Sequence, residues 1–156
     1  VPGDPLSRHH FAPGHFTASA FVLSPDRRSL LLILHRKLRR WLQPGGHIDA
    51  EDVDTLAATR REVVEETGLR DLELLDDGLL DVDVHAIPPL GAEPAHRHFD
   101  LRFLFRSPNW ELGDSVEIEG IRWVPLAQVE EMHTDASVLR AVKRVGVVKR
   151  VAPSGF

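Results

Sequence analysis

The chain contains no cysteine. Disulfides, thiolate nucleophiles and cysteine-based zinc sites are therefore excluded. No apolar run is long enough to cross a bilayer; the longest, residues 30–34, has the length of a strand. The start, Val1-Pro2-Gly3-Asp4, carries no signal-peptide pattern. Internal repeats and low-complexity linkers are missing as well. There is no surplus of positive charge: the formal net charge is −5, which disfavours non-specific binding to nucleic acid. These absences lead to the expectation of a cytoplasmic protein associated with neither membrane nor nucleic acid.

What remains is ordinary for a single folded unit. A chain of 156 residues, 42% apolar and 28% charged, can build one substantial core. Residues 1–14 hold Pro2, Pro5 and Pro13 with Gly3 and Gly14 and read as an irregular arm, one that could contribute to a homodimer. Residues 15–150 read as one domain and 151–156 as a tail. Strands are expected at 16–23, 29–35, 69–75, 79–86, 96–106 and 120–124, with a turn at Asp76-Asp77-Gly78. Helices are expected at 52–67, stopped by Gly68, at about 125–132, and from an Asp135 cap to about 149. Strands on both sides of a central helix, with another helix at the end, indicate an α/β fold with a mixed sheet between helices.

The most informative stretch runs from Pro44-Gly45-Gly46 to Gly68-Leu69. It sets Glu62, Glu65 and Glu66 at i, i+3 and i+4, on one face of a helix and one turn apart. Carboxylates stacked this way repel, so a positive partner has to offset them. A hard divalent cation held by carboxylate oxygens meets that need. A solvated acidic face is the plainer reading of such a run, but it does not account for the glycines and Arg61 at these spacings.

The stretch resembles the Nudix box: Gly, five residues, Glu, seven residues, Arg-Glu, an aliphatic, any residue, Glu-Glu, any residue, Gly, an aliphatic. Its right half matches without a gap, through Arg61, Glu62, Val63, Glu65, Glu66, Gly68 and Leu69. The left half departs. Family spacing would place the first Glu at Val53 and the Gly at His47. Counting instead from Gly46, five residues lead to Asp52 and eight then precede Arg61. One residue is inserted, and Asp stands for Glu. The resemblance implies an α/β/α sandwich over most of the chain and a bound Mg²⁺ or Mn²⁺. It implies Glu62, Glu65, Glu66 and the Gly46 carbonyl as ligands, with Glu62 or Glu65 in catalysis. Arg61 is expected to tie the helix to the loop through a carboxylate, with Asp52 as candidate partner and Asp49 and Glu51 in competition. The general base implied by the family is either a box glutamate or an acid from a distant loop; Glu117 and Glu119 are candidates for the latter.

A second pattern is independent of the box. Along 96–106, alternation puts Phe99, Leu101, Phe103 and Phe105 on one face and His96, His98, Asp100 and Arg102 on the other. Along 79–86 it separates Val82 and Val84 from Asp81, Asp83 and His85. Paired as an antiparallel hairpin, the two segments gather three histidines, three aspartates and an arginine on one face. We expect that face to border the cleft, with His85, His96, His98, Asp100 and Arg102 as substrate contacts; a satisfied polar outer face is the competing reading. A second metal site at His85, His96 and His98 is a weaker option. Arg36, at the end of an apolar strand, is expected to meet substrate phosphate. Trp41, Trp123, Phe11 and Phe16 are assigned to the core.

The leading expectation is a metal-dependent hydrolase that cleaves a diphosphate bond in a nucleoside diphosphate linked to another group, with a small nucleotide-type molecule as substrate. Nucleoside triphosphates, ADP-ribose, dinucleoside polyphosphates and nucleotide sugars all qualify. The absence of cysteine argues against the isoprenoid diphosphate isomerases of this fold. A non-catalytic nucleotide-sensing or partner-binding domain is the alternative, though such a domain would be expected to lose box carboxylates. A metal-stabilised structural protein would bind metal without turnover.

Overall fold

The computed structural model describes the backbone of residues 3–113 and 118–151, and the side chains there except at 77–78, 118–119 and 147–151. Seven strands form one sheet: β1 (Gly14–Leu23), β2 (Ser29–His35), β3 (Arg40–Leu42), β4 (Gly45–His47), β5 (Glu73–Ile87), β6 (His96–Arg106) and β7 (Ile118–Pro125). Two α-helices, α1 (Thr55–Thr67) and α2 (Ala136–Val151), and a 3₁₀ turn at Leu126–Glu131 complete it. The strand path is β3-β2-β1-β6-β5, with β4 added to β1 and β7 to β2. Only β1 and β6 run parallel among these pairs; the rest are antiparallel, so the sheet is mixed.

Alternation assigns the two faces. Ala20 and Val22 of β1, Leu31 of β2, and Phe103 and Phe105 of β6 pack with Val63 of α1. Phe21, Leu23, Leu30, Leu32 and Leu104 pack on the opposite side with Val138, Ala141 and Val145 of α2. Full burial of each such side chain contributes roughly 1.5–3 kcal/mol. The two clusters therefore hold the helices on opposite faces, as an α/β/α sandwich. Among the described residues no helix is long and apolar enough to cross a membrane.

The sheet forks where β1 and β2 diverge. Beyond the contact of Leu23 with Leu30, β3 follows β2 while β4 follows the first half of β1, at Thr17, Ala18 and Ser19. This fork carries the glycine pair to the side of α1. The helix starts at Thr55, three residues later than expected. Asp54 caps it, accepting the Ala57 N–H at 2.7 Å. Gly68 ends it at φ 77°, a left-handed conformation that costs glycine little.

Two strand expectations are corrected. Segments 69–75 and 79–86 are not separate strands joined by a turn; β5 starts at Glu73 and continues through 79–86, and residues 69–72 precede it. Asp76-Asp77-Gly78 forms an irregularity inside it, where the pairing with β6 jumps between Leu74 and Leu79 and Asp76 takes φ 44°. Residues that favour a turn have here produced a bulge, because both flanks continue onto the same partner strand. β3 and β4, three residues each, lie outside the strands expected from the sequence. The residues before β1 are tied to the domain by the Phe16 N–H on the Pro5 carbonyl. Trp41 and Trp123 pack at the rim of the core, only partly buried.

Candidate functional site

Glu62 rises from α1 toward β4. A Cβ on Gly46 would lie 2.6 Å from Glu62 Oε1, so only glycine lets the carboxylate meet the strand backbone. The next glycine holds a second acid: the Gly45 N–H donates to Glu66 Oε1 at 3.0 Å. Glu65, one turn along, is exposed. Burial pushes the Glu62 carboxyl up in pKa, against the pull of Arg61 and with Glu65 and Asp49 adding to the push.

Arg61 ties these parts together. Its Nε and NH2 donate to the two oxygens of Asp52 at 3.0 and 2.8 Å. NH2 also donates to the His47 carbonyl at 3.0 Å. NH1 reaches Glu62 Oε1 at 3.1 Å and Glu65 Oε2 at 3.3 Å. Asp49 is a looser partner at 3.4 Å. The guanidinium holds the Asp52 carboxyl below the usual carboxylate range, and the Asp52 carboxylate also accepts the Asp49 N–H at 2.8 Å. A planar fork on a carboxylate is strong and directional, so the loop before α1 is fixed to the helix that carries the acids.

Three carboxylates on neighbouring turns, one of them desolvated against a glycine backbone, are a hard-oxygen donor set. They fit Mg²⁺ or Mn²⁺ and not a soft ion. Among the described residues the cationic partner of Glu62 and Glu65 is Arg61.

The β5–β6 hairpin forms as expected and gathers the polar face: Asp81 faces Arg102, Asp83 faces Asp100 and His85 faces His98. Its surroundings are not those expected. Arg102 is 2% exposed and Asp100 5%. Arg102 donates to Asp100 Oδ2 at 3.1 Å, to the Ser137 carbonyl at 3.0 Å and to Ser137 Oγ at 2.7 Å. Asp100 also accepts from Thr17 Oγ1 at 3.0 Å and Ser19 Oγ at 2.7 Å. Asp81 and Asp83 are taken by Arg140 of α2 at 2.7 and 2.9 Å. The start of α2 thus covers this stretch, and Asp100 and Arg102 leave the set of substrate contacts. The satisfied-network reading describes them.

The histidine end of the same face is different. His85, His96 and His98 are joined by His15 of β1 and His47 of β4, which sequence reasoning missed. Ring centres lie 4.7 Å apart for His15 and His98, 5.1 Å for His15 and His96, and 5.4 Å for His47 and His98. Burial, reinforced by the neighbouring rings, holds the His98 pKa down at about 3. Burial and Arg8 hold His47 at about 4. Only tertiary register brings His15 opposite His98; the available signal was a histidine of matching parity at the start of the first strand.

Arg36 is exposed in the turn between β2 and β3. Glu117 lies outside the described residues. Glu119 belongs to β7 by its backbone, and its side chain lies outside them too.

A family model for the NUDIX domain matches residues 13–143. No curated protein sequence matches the chain. Among solved structures, a Nudix-family hydrolase from Clostridium perfringens superposes with a TM-score of 0.69 at 20% identity, covering 91% of this chain and 99% of that one. A C. elegans Ap4A hydrolase, solved as a binary complex, gives 0.65 at 16% identity, covering 86% and 97%. The Nudix domain of Shewanella oneidensis NrtR, complexed with ADP-ribose, gives 0.62 at 19% identity, covering 88% of each. At these identities the structures speak for the fold, and the family model, which spans the strands, the fork and the acid-bearing helix together, speaks for the family: the chain belongs to the Nudix family.

Proposed function

We propose that the chain is a Mg²⁺- or Mn²⁺-dependent hydrolase that cleaves a diphosphate bond in a nucleoside diphosphate linked to another group. The observation that carries this reading is the seating of Glu62 against Gly46 under the Arg61–Asp52 clamp. The arrangement desolvates one acid, pins another and leaves a third facing solvent. Glu62, Glu65 and Glu66, with the Gly46 carbonyl, would hold the ion. Once bound, it would neutralise diphosphate oxygens and lower the pKa of a water.

The chain's own groups do the rest. Arg61 holds the helix and the glycine loop at a fixed separation. The Gly45 N–H fixes the Glu66 carboxylate. Exposed Glu65, or Glu62 behind it, takes the proton from the attacking water, unless an acid at Glu117 or Glu119 does so. Arg36 and the rim of the histidine face at His85 are the groups we assign to substrate phosphate or sugar. The net charge of −5 supports a small nucleotide in place of a nucleic acid, and we place the enzyme in the cytoplasm.

A substrate panel tests the reading. ADP-ribose and dinucleoside tetraphosphate head it, because related folds are solved with the one and named for the other. Wild type should release product with Mg²⁺ or Mn²⁺, and Glu65→Gln should lose roughly 10²-fold or more, the scale of one electrostatic contributor. Tight nucleotide binding without turnover in wild type would favour a sensing domain instead.

A further inference from the structure

We propose that His15, His96 and His98 form a second metal site, built from imidazole nitrogens for a zinc-type transition ion and separate from the carboxylate site of the box.

One ligand atom from each of these three side chains lies within 4.8 Å of the other two. Their ring centres are 4.7, 5.1 and 5.2 Å apart. Three imidazoles on one tetrahedral zinc, at a Zn–N distance of about 2.0–2.1 Å, place their ring centres about 5 Å apart. The strands, not a mobile loop, create the arrangement. His15 and His98 are register partners on the parallel pair β1 and β6, and His96 stands two residues before His98 on the same face.

The hydrogen bonds point the same way. His15 Nδ1 lies 3.1 Å from the His10 carbonyl, and His96 Nδ1 lies 2.8 Å from the Pro94 carbonyl. A carbonyl only accepts, so each Nδ1 carries the proton and each Nε2 keeps its lone pair. A ligating histidine is oriented in this way by its second nitrogen. His15 is 1% exposed, and its Nε2 has no hydrogen-bond partner. A buried acceptor without a partner is costly, and a cation among the three rings would satisfy it. Phe11 covers the group, its ring 4.9 Å from His96 and 6.2 Å from His15. His47 and His85, each 5.4 Å from His98, are the nearest donors for a fourth position.

The site is distinct from the box in place and in chemistry. Its residues share the α2 side of the sheet with Asp100 and Arg102, whereas the box acids stand on α1. Its donors are borderline nitrogens, which favour zinc-type ions over Mg²⁺. His85, the third histidine of the sequence reading, gives way to His15. The site would staple β1 to β6 beneath the arm.

The test uses Co²⁺ as probe on the full chain stripped of metal, in wild type, Glu65→Gln and His98→Asn. Tetrahedral nitrogen coordination gives an intense visible band, and six oxygens give a weak one. We expect one equivalent of Co²⁺ with the intense band, displaced by Zn²⁺, unchanged in Glu65→Gln and at least tenfold weaker in His98→Asn. A weak band only, or a band lost in Glu65→Gln and kept in His98→Asn, overturns the proposal. If His98→Asn fails to fold, the ring-nitrogen NMR spectrum of wild type decides. Zn²⁺ should shift Nε2 of His15, His96 and His98; a spectrum in which these stay put overturns the site. Neither readout depends on hydrolysis, so the site and the proposed function stand or fall separately.

Discussion

Arg61 grips Asp52 with two nitrogens, Nε on Oδ1 at 3.0 Å and NH2 on Oδ2 at 2.8 Å. The pair fixes the loop before α1 to the helix that carries the acids. Arg61→Lys keeps the charge but loses the fork, and lysine cannot replace it at a bidentate site. We predict at least a tenfold fall in kcat with a modest fall in Tm. Steady-state kinetics beside a melting curve check this; an unchanged kcat would remove the clamp from the account.

Gly46 is the second constraint. Gly46→Ala places a methyl group 2.6 Å from Glu62 Oε1, and the acid or the strand must move. Loss of a fixed reacting geometry costs about 10²-fold for a displacement near 1 Å. The expected outcome is a folded protein by circular dichroism with kcat/KM down about 10²-fold. Normal kinetics would show that the contact between Glu62 and the strand has no part in the chemistry.

Arg102 is predicted to matter for stability and not for substrate. Arg102→Ala strands Asp100, and breaking a buried ion pair from one side costs about 3–5 kcal/mol. Urea unfolding should show that loss, while KM of the fraction that folds stays within about twofold. A raised KM with unchanged stability would return Arg102 to the substrate contacts.

The histidine cluster gives a pH dependence in metal-free protein. His98 titrates near 3 in the folded chain and near 6.5 when unfolded. As pH falls below 6.5 the unfolded state takes up a proton that the folded state refuses, so stability present above pH 6.5 is lost progressively toward pH 3. The ring is half-buried, so the loss at pH 5 is at most about 2 kcal/mol. Urea midpoints at pH 7.5 and pH 5 in EDTA should differ less in His98→Gln than in wild type. Equal differences would contradict this origin.

The elements legible in the sequence were those whose pattern is local. β2 and β6 have the expected ends, and Gly68 stops α1 as read. The carboxylate spacing could be seen because helix geometry places it, whereas Asp52 stood among the candidate partners of Arg61 only through the resemblance to the Nudix box. Tertiary pairing decided the rest. Asp76-Asp77-Gly78 has the composition of a turn but lies within β5, because Leu74 and Leu79 both find partners on β6. Residues 40–42 and 45–47 have no strand pattern and become strands only by lying along β2 and β1. Alternation gave the composition of the polar face of β6 but not its cover. The α2 residue that meets Arg102 is Ser137, 35 residues further along. His15 and His47 escaped for the same reason: their neighbours are distant in sequence.

The most direct test of the central claim is the rate of hydrolysis of the best panel substrate against Mg²⁺ or Mn²⁺ concentration, in wild type and Glu62→Gln. The account predicts a saturable metal requirement, no turnover in EDTA, and a loss of roughly 10²-fold or more in the variant. Full turnover in EDTA, or a variant as fast as wild type, would contradict a reaction run by the acids that Gly45, Gly46 and Arg61 hold in place.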